Sequence, residues 1–328
     1  MDAPDRPDGP GPTMLDAVGW ALRAPSLHNS QPWRWRVDAA EAALYADPLR
    51  RLYETDPDRR DLLVSCGACL HHLHVALAAA GTGVRTVRLP DPEDTDLLAV
   101  VTIVDGPADA AEADLWPALP RRRTDRRRYA DRPVPGSVLE AVTAAARRHG
   151  ALLLPVSGQA RRAGIDAVLA RAADEQRCRP GYLAELMTWT HRYAGAHDGI
   201  PAWARPTRPA PRGTGPNRAF PAGRLTATAA APAEGGVLAV LCTRRDGPED
   251  RLRAGEATSA VLLTAVRAGL ATTPLSQALE LSATRSVLAR DVLHVDAHPQ
   301  LIVRLGYPVD DRELPATPRR ALSAVLAP

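Results

Sequence analysis

Two distant stretches of the chain place apolar residues at the spacing of an amphipathic helix. The first predicted helix begins at Asp61 and ends at Gly81, and the second surrounds Gly255 and ends at Gly269. Their apolar faces are Leu62, Leu63, Cys66, Leu70, Leu73 and Leu77 in the first, and Leu252, Val261, Leu262 and Val266 in the second. Gly67 precedes Gly81 by 14 residues, the same separation as between Gly255 and Gly269. The pattern predicts one helix plan used twice.

An apolar strand follows each of these helices. Residues 97–104 form the first predicted strand, with residues 90–96 as the turn before it, and residues 301–305 form the second. Thr13 is suited to cap a helix that runs to about Ala24, and a further helical pattern covers residues 137–148. The low identity between the two repeats makes the repetition suggestive only.

Composition narrows the class of protein. The chain has 328 residues, of which 45% are hydrophobic and 24% charged, enough for one large or two ordinary cores. All 41 basic residues are arginine and the net charge is only +3, so neither nucleic acid nor a membrane surface is indicated as a partner. We expect residues 1–12 to be a disordered tail. Four cysteines and the lack of a signal peptide or long apolar run favour the cytoplasm.

Residues 24–35, with the sequence APSLHNSQPWRW, form a polar loop between the first helix and a strand. Pro25 and Pro32 disfavour helix in the residues before them. The polar side chains between the prolines, Ser26, Asn29, Ser30 and Gln31, offer hydrogen-bond donors and acceptors at short intervals. The loop is therefore a candidate ligand cradle, and the alternative is a capped turn anchored by a tryptophan.

This loop resembles the flavin-contacting segment of the nitroreductase superfamily, written APS..N.QPW.F, in which FMN lies between two subunits. The resemblance implies that one side of an FMN site consists of Ser26, His28, Asn29, Ser30, Gln31 and Pro32. A short motif alone leaves the capped turn open.

Six arginines crowd residues 121–128, ahead of Tyr129. A solvated charged face or an RNA-binding strip are the alternatives, but one interleaved aromatic residue and no surrounding nucleic-acid module make the second weak. The run RRTDRRRYADRPVP is similar to the RRS.R.F...PVP opening of nitroreductases. That resemblance implies that Arg122, Thr124 and Arg126 bind the FMN phosphate, for which planar guanidinium groups are well suited.

The two motifs lie in different parts of this chain, the loop first and the arginines after it, whereas a typical nitroreductase subunit carries both. The chain therefore resembles the Acg-like branch, with a nitroreductase-like α+β fold and two pseudo-symmetric halves in one chain that form an intramolecular pseudo-dimer. We expect the halves at residues 13–118 and 119–328, and one FMN site. The resemblance adds to that site Pro274, Leu275, Ser276, Gln277, Arg319 and Arg320. The alternative for the last two is an exposed tail.

Residues 187–222 are too long and irregular for an ordinary connection, with six prolines from Pro201 to Pro221. We interpret this segment as a lid over the flavin, with a surface linker as the alternative.

The resemblance implies an FMN-dependent NAD(P)H oxidoreductase that passes a hydride to a nitroaromatic or quinone acceptor, without a catalytic side chain. Alternatives are a protein that stores FMN, a flavin-dependent dehydrogenase or oxidase of a biosynthetic intermediate, and a nucleic-acid binder based on residues 121–128. We expect a monomer that acts on a small molecule, with neither nucleic acid nor membrane as partner.

Cys66 and Cys69, followed by three histidines at positions 71, 72 and 74, raise the possibility of zinc or dithiol chemistry. Because these residues fall inside the first long helix and no second ligand pair follows, we favour packed core cysteines and no metal.

Overall fold

The computed structural model describes residues 13–193, 195–207, 218–226 and 235–327. Within these ranges the fold is α+β, with two four-stranded antiparallel sheets flanked by helices. The expected disordered tail at residues 1–12 lies outside the described residues.

The first sheet is built from the N-terminal part of the chain. Its elements are α1 (Met14–Ala21), β1 (Trp33–Val37), β2 (Glu41–Ala46), α2 (Arg60–Ala79), β3 (Val84–Arg88) and β4 (Leu97–Ile103). Thr13 caps α1 as expected, since its hydroxyl accepts a bond from the Asp16 backbone while the Asp16 carboxylate accepts one from the Thr13 backbone. The helix ends before Ala24 because the following proline disfavours helix there.

The second sheet follows a short connector. The elements are α3 (Ala110–Ala113), α4 (Gly136–Arg148), β5 (Leu152–Pro155), α5 (Gln159–Arg177), α6 (Pro180–Thr190), β6 (Val237–Thr243), α7 (Pro248–Arg267), β7 (Ala271–Leu275), α8 (Ser282–Val287) and β8 (His298–Gly306). The strand order in this sheet is β5-β6-β8-β7, and in the first it is β1-β2-β4-β3. Adding four to each strand number converts one order into the other, so the two sheets share a topology.

Each long helix is followed by two strands, not by the one strand that the apolar pattern indicates. The strands missed were β3 and β7, which lie at sheet edges. None of the β3 residues is fully buried, which weakens the apolar signal, and Pro274 interrupts the pattern of β7. Proline is tolerated there because an edge strand leaves some backbone groups unpaired.

Helices α2 and α7 pack against each other through their glycines. A Cβ atom on Gly67 would lie 1.9 Å from the Leu252 carbonyl oxygen, and one on Gly255 would lie 2.1 Å from that of Val64. Each helix also contributes a side chain to the other sheet's core, since Val64 of α2 packs in the core of the second sheet and Leu252 of α7 in that of the first. The repeated glycines therefore mark the contact between two equivalent helices.

Helix α2 is also long and apolar enough to cross a membrane by composition, but 89% of its most apolar window is buried inside the protein. The burial is what a central core helix requires.

The C-terminal segment crosses from the second sheet to the first. The Trp35 N–H donates to the Val325 carbonyl at 2.8 Å, and the Ala327 N–H donates to the Trp35 carbonyl at 2.7 Å. This return brings Arg319 against the carbonyls of Arg23 and Ala24 at the start of the cradle loop.

Candidate functional site

A cavity lies between the two halves, where α2, the cradle loop, the arginine run and the C-terminal segment converge. Its wall comprises Pro25–Asn29, Asp61, Val64, Ser65, Ala68, Arg122–Thr124, Arg126, Gly199–Pro201, Trp203, Ala204, Arg218, Phe220, Thr258, Thr273–Gln277, Leu301, Leu314, Pro315, Thr317 and Arg319. Both halves are thus needed to form the cavity wall.

The cradle loop has a strained backbone. His28, Asn29 and Gln31 have φ angles of 51°, 55° and 50°, in the left-handed region that residues other than glycine rarely adopt. Such strain persists only where surrounding contacts hold it, and it is common at binding sites.

Two loop residues anchor the segment that crosses the cavity. The Asn29 side-chain amide donates to the Gly199 carbonyl at 3.0 Å and to the Pro318 carbonyl at 3.1 Å. The Gln31 amide donates to the His197 carbonyl at 3.0 Å. Asn29 and Gln31 therefore hold neighbouring protein segments in place.

Residues 197–199 are held further by an ion-pair cluster. Asp198 accepts bonds from Arg50 and, at 2.6 Å, from Arg192. Part of the segment interpreted as a lid lines the cavity, at residues 199–201, 203, 204, 218 and 220, and Asp198 attaches it to Arg50 of the first half.

Arginines with unused hydrogen-bonding capacity lie at one end of the cavity. Arg122 is 5% exposed, and its Nε and Nη1 atoms have no hydrogen-bond partner in the described part of the chain. The Nε atom of Arg319 likewise has no hydrogen-bond partner among the described residues, although the terminal nitrogens of this side chain donate to backbone carbonyls. Burial lowers the pKa of Arg122 to about 10 and that of Arg319 to about 9, and each cation disfavours a neighbouring one. This end of the cavity is suited to an anion.

The six arginines of the run have different environments. Arg122, Arg123 and Arg126 line the cavity. Arg127 pairs with Asp125 and Asp310, and Arg121 and Arg128 are exposed. A parallel bridge between Thr124 and Thr272 and a bond from the Asp125 N–H to the Thr272 carbonyl fix the run beside β7.

Arg126 faces a different wall from Arg122. Its Nη1 donates to the Ala204 carbonyl at 3.1 Å, and its guanidinium carbon lies 5.1 Å from the centre of the Phe220 ring. Burial, followed by the charge of Arg218, lowers the pKa of Arg126 to about 10. The structure thus associates Arg126 with the segment that crosses the cavity.

A neutral histidine contributes to the cavity wall near Phe220. His28 is buried and its Nε2 atom has no partner among the described residues. Burial and the charges of Arg218 and Arg126 hold its pKa well below the usual range. Its ring is 6.1 Å from that of Phe220, edge to face. His28 can therefore offer an uncharged ring nitrogen to a ligand.

Asp61, near the start of α2, adds a carboxyl group to the wall. Burial, and then the neighbouring carboxylates of Asp56 and Glu280, raise the pKa of Asp61 well above its usual range. Its Oδ2 atom has no partner among the described residues. The pKa of Asp56 is raised less, to about 6, because backbone N–H groups of Asp61 and Leu62 bind it. Burial and like charge therefore favour the protonated form of the Asp61 carboxyl.

Most of the residues that the sequence indicated meet at this cavity. In its wall are Ser26, His28, Asn29, Arg122, Thr124, Arg126, Pro274, Leu275, Ser276, Gln277 and Arg319. Outside its wall are Ser30, Gln31, Pro32 and Arg320. Arg320 contacts Asp47 and the Gln31 carbonyl, and its N–H donates to the Gln31 side chain at 2.9 Å, so these residues support the loop from behind.

The wall also contains residues to which the sequence patterns assign no binding role. The pattern around Asp61 and Ser65 indicates only a core helix, and Arg218 and Phe220 fall within the segment interpreted as a lid. Arg218 is buried against Glu280 and Tyr182, which hold its charge in place. Polar residues within an otherwise apolar helix are a signal that could have identified Asp61 and Ser65 as site residues.

The two sheets share one topology, and elements from both contribute to a cavity lined by several arginines, an arrangement that fits a ligand-binding protein or enzyme of the α+β class. No protein-family model matches the chain. A Mycobacterium tuberculosis protein with the provisional name NAD(P)H nitroreductase is 41% identical over 323 residues, or 96% of this chain and 91% of the relative. The M. tuberculosis acg protein, with the same provisional name, is 36% identical over 95% of this chain and 94% of its own. The chain therefore belongs to the nitroreductase superfamily, in the Acg-like branch.

Among solved structures, a nitroreductase with bound FMN from Bacteroides fragilis matches 63% of this chain and 95% of its own, with 13% identity and a TM-score of 0.40.

Proposed function

We propose that the protein binds FMN in this cavity and acts as an NAD(P)H-dependent oxidoreductase on a small organic acceptor. The observation that carries the proposal is that Arg122, which is buried, and Arg319, which is half-buried, have buried donor atoms without partners among the described residues, in the same cavity as the cradle loop. The names of the two mycobacterial relatives support the choice of donor.

The anionic end of the ligand would be held by Arg122 and Arg319. Three buried donor atoms without partners and two lowered pKa values are the signature of cations that need a counter-ion. A phosphate group meets that need because its oxygens accept charge-assisted bonds from planar guanidinium groups. Arg123, beside them in the wall, adds positive charge.

The cyclic end of the ligand would lie along His28 and the end of β7. The side chains of Ser276 and Gln277 are engaged with Glu280 at 2.7 Å and Gln176 at 2.9 Å. These bonds fix the end of β7 and the two residues after it, which line the cavity. A fixed wall of this kind orients a flat ligand.

When bound, FMN supplies the two-electron chemistry, accepting a hydride equivalent from a nicotinamide and passing it on. The chain itself would bind and orient the cofactor, limit the entry of water and keep a proton at the Asp61 carboxyl. A nitroaromatic or quinone type of acceptor suits such a site, since both take up electrons together with protons.

A second candidate function, storage of FMN without turnover, is favoured by one observation. The segment at residues 197–204 is bonded to Asn29 and Gln31 and reinforced by Asp198, so it restricts access to the cavity. A wall that stays attached would retain the flavin and exclude an acceptor.

We also propose that the two halves correspond to residues 13–118 and 119–328 and that the protein is a monomer. The single cavity is completed within one chain, which removes the need for a second subunit. Light scattering coupled to gel filtration would measure the mass in solution, and a dimeric mass would contradict the proposal.

Absorption spectra under anaerobic conditions test the function. We expect flavin bands in the purified or FMN-reconstituted protein that bleach on addition of NADPH or NADH. Bands that persist with both donors would favour storage, and a protein that takes up no FMN would refute the proposal.

Site variants test the phosphate assignment. Arg122→Gln is expected to weaken FMN binding about 100-fold, because it removes a buried charged donor. The matched control, Arg121→Gln, changes the neighbouring exposed arginine and should leave affinity unchanged. Stoichiometric FMN in the Arg122→Gln protein at low flavin concentration would overturn the assignment.

A further inference from the structure

A cluster of two histidines and a glutamate lies apart from the cavity, where three segments of the chain meet. His71 comes from α2, Glu112 from α3, and His149 from the residue after α4. The Nε2 atom of His71 is 2.8 Å from Glu112 Oε2, and the Nε2 atom of His149 is 3.2 Å from Glu112 Oε1. One potential ligand atom from each residue lies within 4.8 Å of the others.

The Nε2 atom of His71 and the Oε2 atom of Glu112 are both buried and lie 2.8 Å apart, which is an ion-pair distance. Among the described residues, no other group bonds these two atoms. Metal binding displaces protons from such ligands. A divalent cation can therefore replace the proton that His71 and Glu112 share and bind both atoms together with His149.

The second nitrogen of His71 is already engaged. Its Nδ1 atom is 2.7 Å from the hydroxyl oxygen of Ser259 on α7. In the tautomer in which Nδ1 donates to that hydroxyl, Nε2 carries the lone pair that a metal ligand needs. An outer hydrogen bond of this kind is the usual support of a ligating histidine.

Charged neighbours do not close the cluster to a cation. Arg148 Nη2 is 3.9 Å from Glu112 Oε1, but the same guanidinium pairs with Asp109 at 2.8 Å. The histidine rings meet edge to face with centres 4.7 Å apart, which leaves their nitrogens on the side of the glutamate. The His149 side chain is 12% exposed, so an ion has a path from solvent.

We propose that His71, Glu112 and His149 form a binding site for a divalent transition-metal ion, with Zn²⁺ the cation that best suits two imidazoles and a carboxylate. Water would take the fourth position of a tetrahedral site. Because the three ligands come from α2, α3 and the end of α4, the ion would tie these three segments together. The site uses none of the cysteines, since Cys66 and Cys69 are buried and their thiols approach backbone carbonyls of Pro32 and Ala21.

Metal content tests the proposal directly. Untagged full-length protein would be stripped with a chelator, loaded with Zn²⁺, passed through gel filtration and analysed by mass spectrometry of the metal. We expect one Zn²⁺ per chain, and competition with a chromophoric chelator should show at least about 100-fold weaker binding for His149→Ala. His298→Ala, an exposed histidine elsewhere, is the matched control and should bind as the wild type does.

The site is refuted if the wild type retains no Zn²⁺ at micromolar concentrations or if His149→Ala retains it equally. X-ray absorption of the zinc-loaded wild type gives a readout that needs no variant. We expect nitrogen and oxygen ligands at about 2.0–2.1 Å, whereas a sulfur ligand at about 2.3 Å would place the metal on a cysteine and overturn the proposal.

Discussion

The two halves of the molecule have the same sheet topology and the same long central helix, yet they present different chemistry to the cavity between them. The first half supplies the cradle loop and Asp61, and the second supplies the arginine run and the end of β7. The two halves share the way in which their long helices pack, with a glycine of α2 against a glycine of α7. What differs is located in the loops before and after those helices.

The two halves can differ in sequence only where one does not constrain the other. At the helix contact, a change on one side meets the equivalent residue on the other, so both sides remain constrained to small residues. At the cavity, each half needs only one set of binding residues, because a single site is completed by both. Substitutions at the helix contact and substitutions in the cavity should therefore have separate effects.

The largest effect is expected at the glycine contact. Gly255→Ala would place a methyl group 2.1 Å from the Val64 carbonyl oxygen and 2.8 Å from the Gly67 Cα. Since both contacts are with backbone, we expect a loss of about 3 kcal/mol in the free energy of unfolding, measured in urea. Gly67→Ala should cost a similar amount if the halves are equivalent in packing.

The control is Gly19→Ala in α1, where no atom lies within 4 Å of the added methyl group. Alanine should be neutral or stabilising by about 0.5–1 kcal/mol there, since glycine is a poor helix former. Equal stabilities for Gly255→Ala and Gly19→Ala would show that the helices do not meet as described.

The next largest effect is expected at an arginine that we assign to the phosphate of the ligand. Arg319→Gln removes a half-buried cation whose pKa desolvation lowers to about 9. We expect the preference for FMN over riboflavin, measured by fluorescence titration, to fall about 100-fold, because only FMN carries the phosphate. Arg312→Gln, an exposed arginine in the same C-terminal segment, serves as control. An unchanged preference in Arg319→Gln would assign the phosphate to another part of the wall.

Asp61 gives an effect that depends on pH. The pKa of Asp61 is higher in the folded protein than in the unfolded chain. At pH values between these two pKa values, the unfolded chain has lost the proton and the folded protein still carries it. Stability is then lost progressively as pH rises through this interval. Asp61→Asn should raise the free energy of unfolding by about 2 kcal/mol at pH 8 and by much less at pH 4.

Urea titrations of this variant at the two pH values provide the measurement, with exposed Asp105→Asn as control. A gain that is the same at both pH values would mean that Asp61 is not the group that titrates.

The smallest effect is expected at the start of α1, a helix that packs on α2 as α4 packs on α7 in the second half. Thr13→Ala removes the capping hydroxyl of α1 and should cost about 1 kcal/mol. Because α1 packs on α2, which packs on α7, we expect one unfolding transition that shifts as a whole. Two separate calorimetric transitions would show that the halves unfold independently.

A useful part of this fold was predictable from local patterns. Helical periodicity and the terminal glycines Gly81 and Gly269, both with positive φ, located α2 and α7 closely. The strands β3 and β7 were missed because an edge strand need not be apolar and β7 contains a proline.

The candidate site was predicted less completely. The motifs indicated the cradle loop and the arginine run, but Gln31 and Arg320 support the loop from outside the wall, and Asp61 and Arg218 were not foreseen. A motif identifies a segment, whereas the direction of each side chain depends on contacts with distant residues.

By itself, the sequence determined the repeated helix plan, the cap at Thr13 and the two family motifs, since each depends on residues within a few turns of one another. Only the tertiary structure decided that Gly67 would face Gly255, which arginines would be buried, and that His71, Glu112 and His149 would meet. Those contacts join residues from 37 to 188 positions apart. Their geometry is set by how whole helices and sheets pack, which no local pattern specifies.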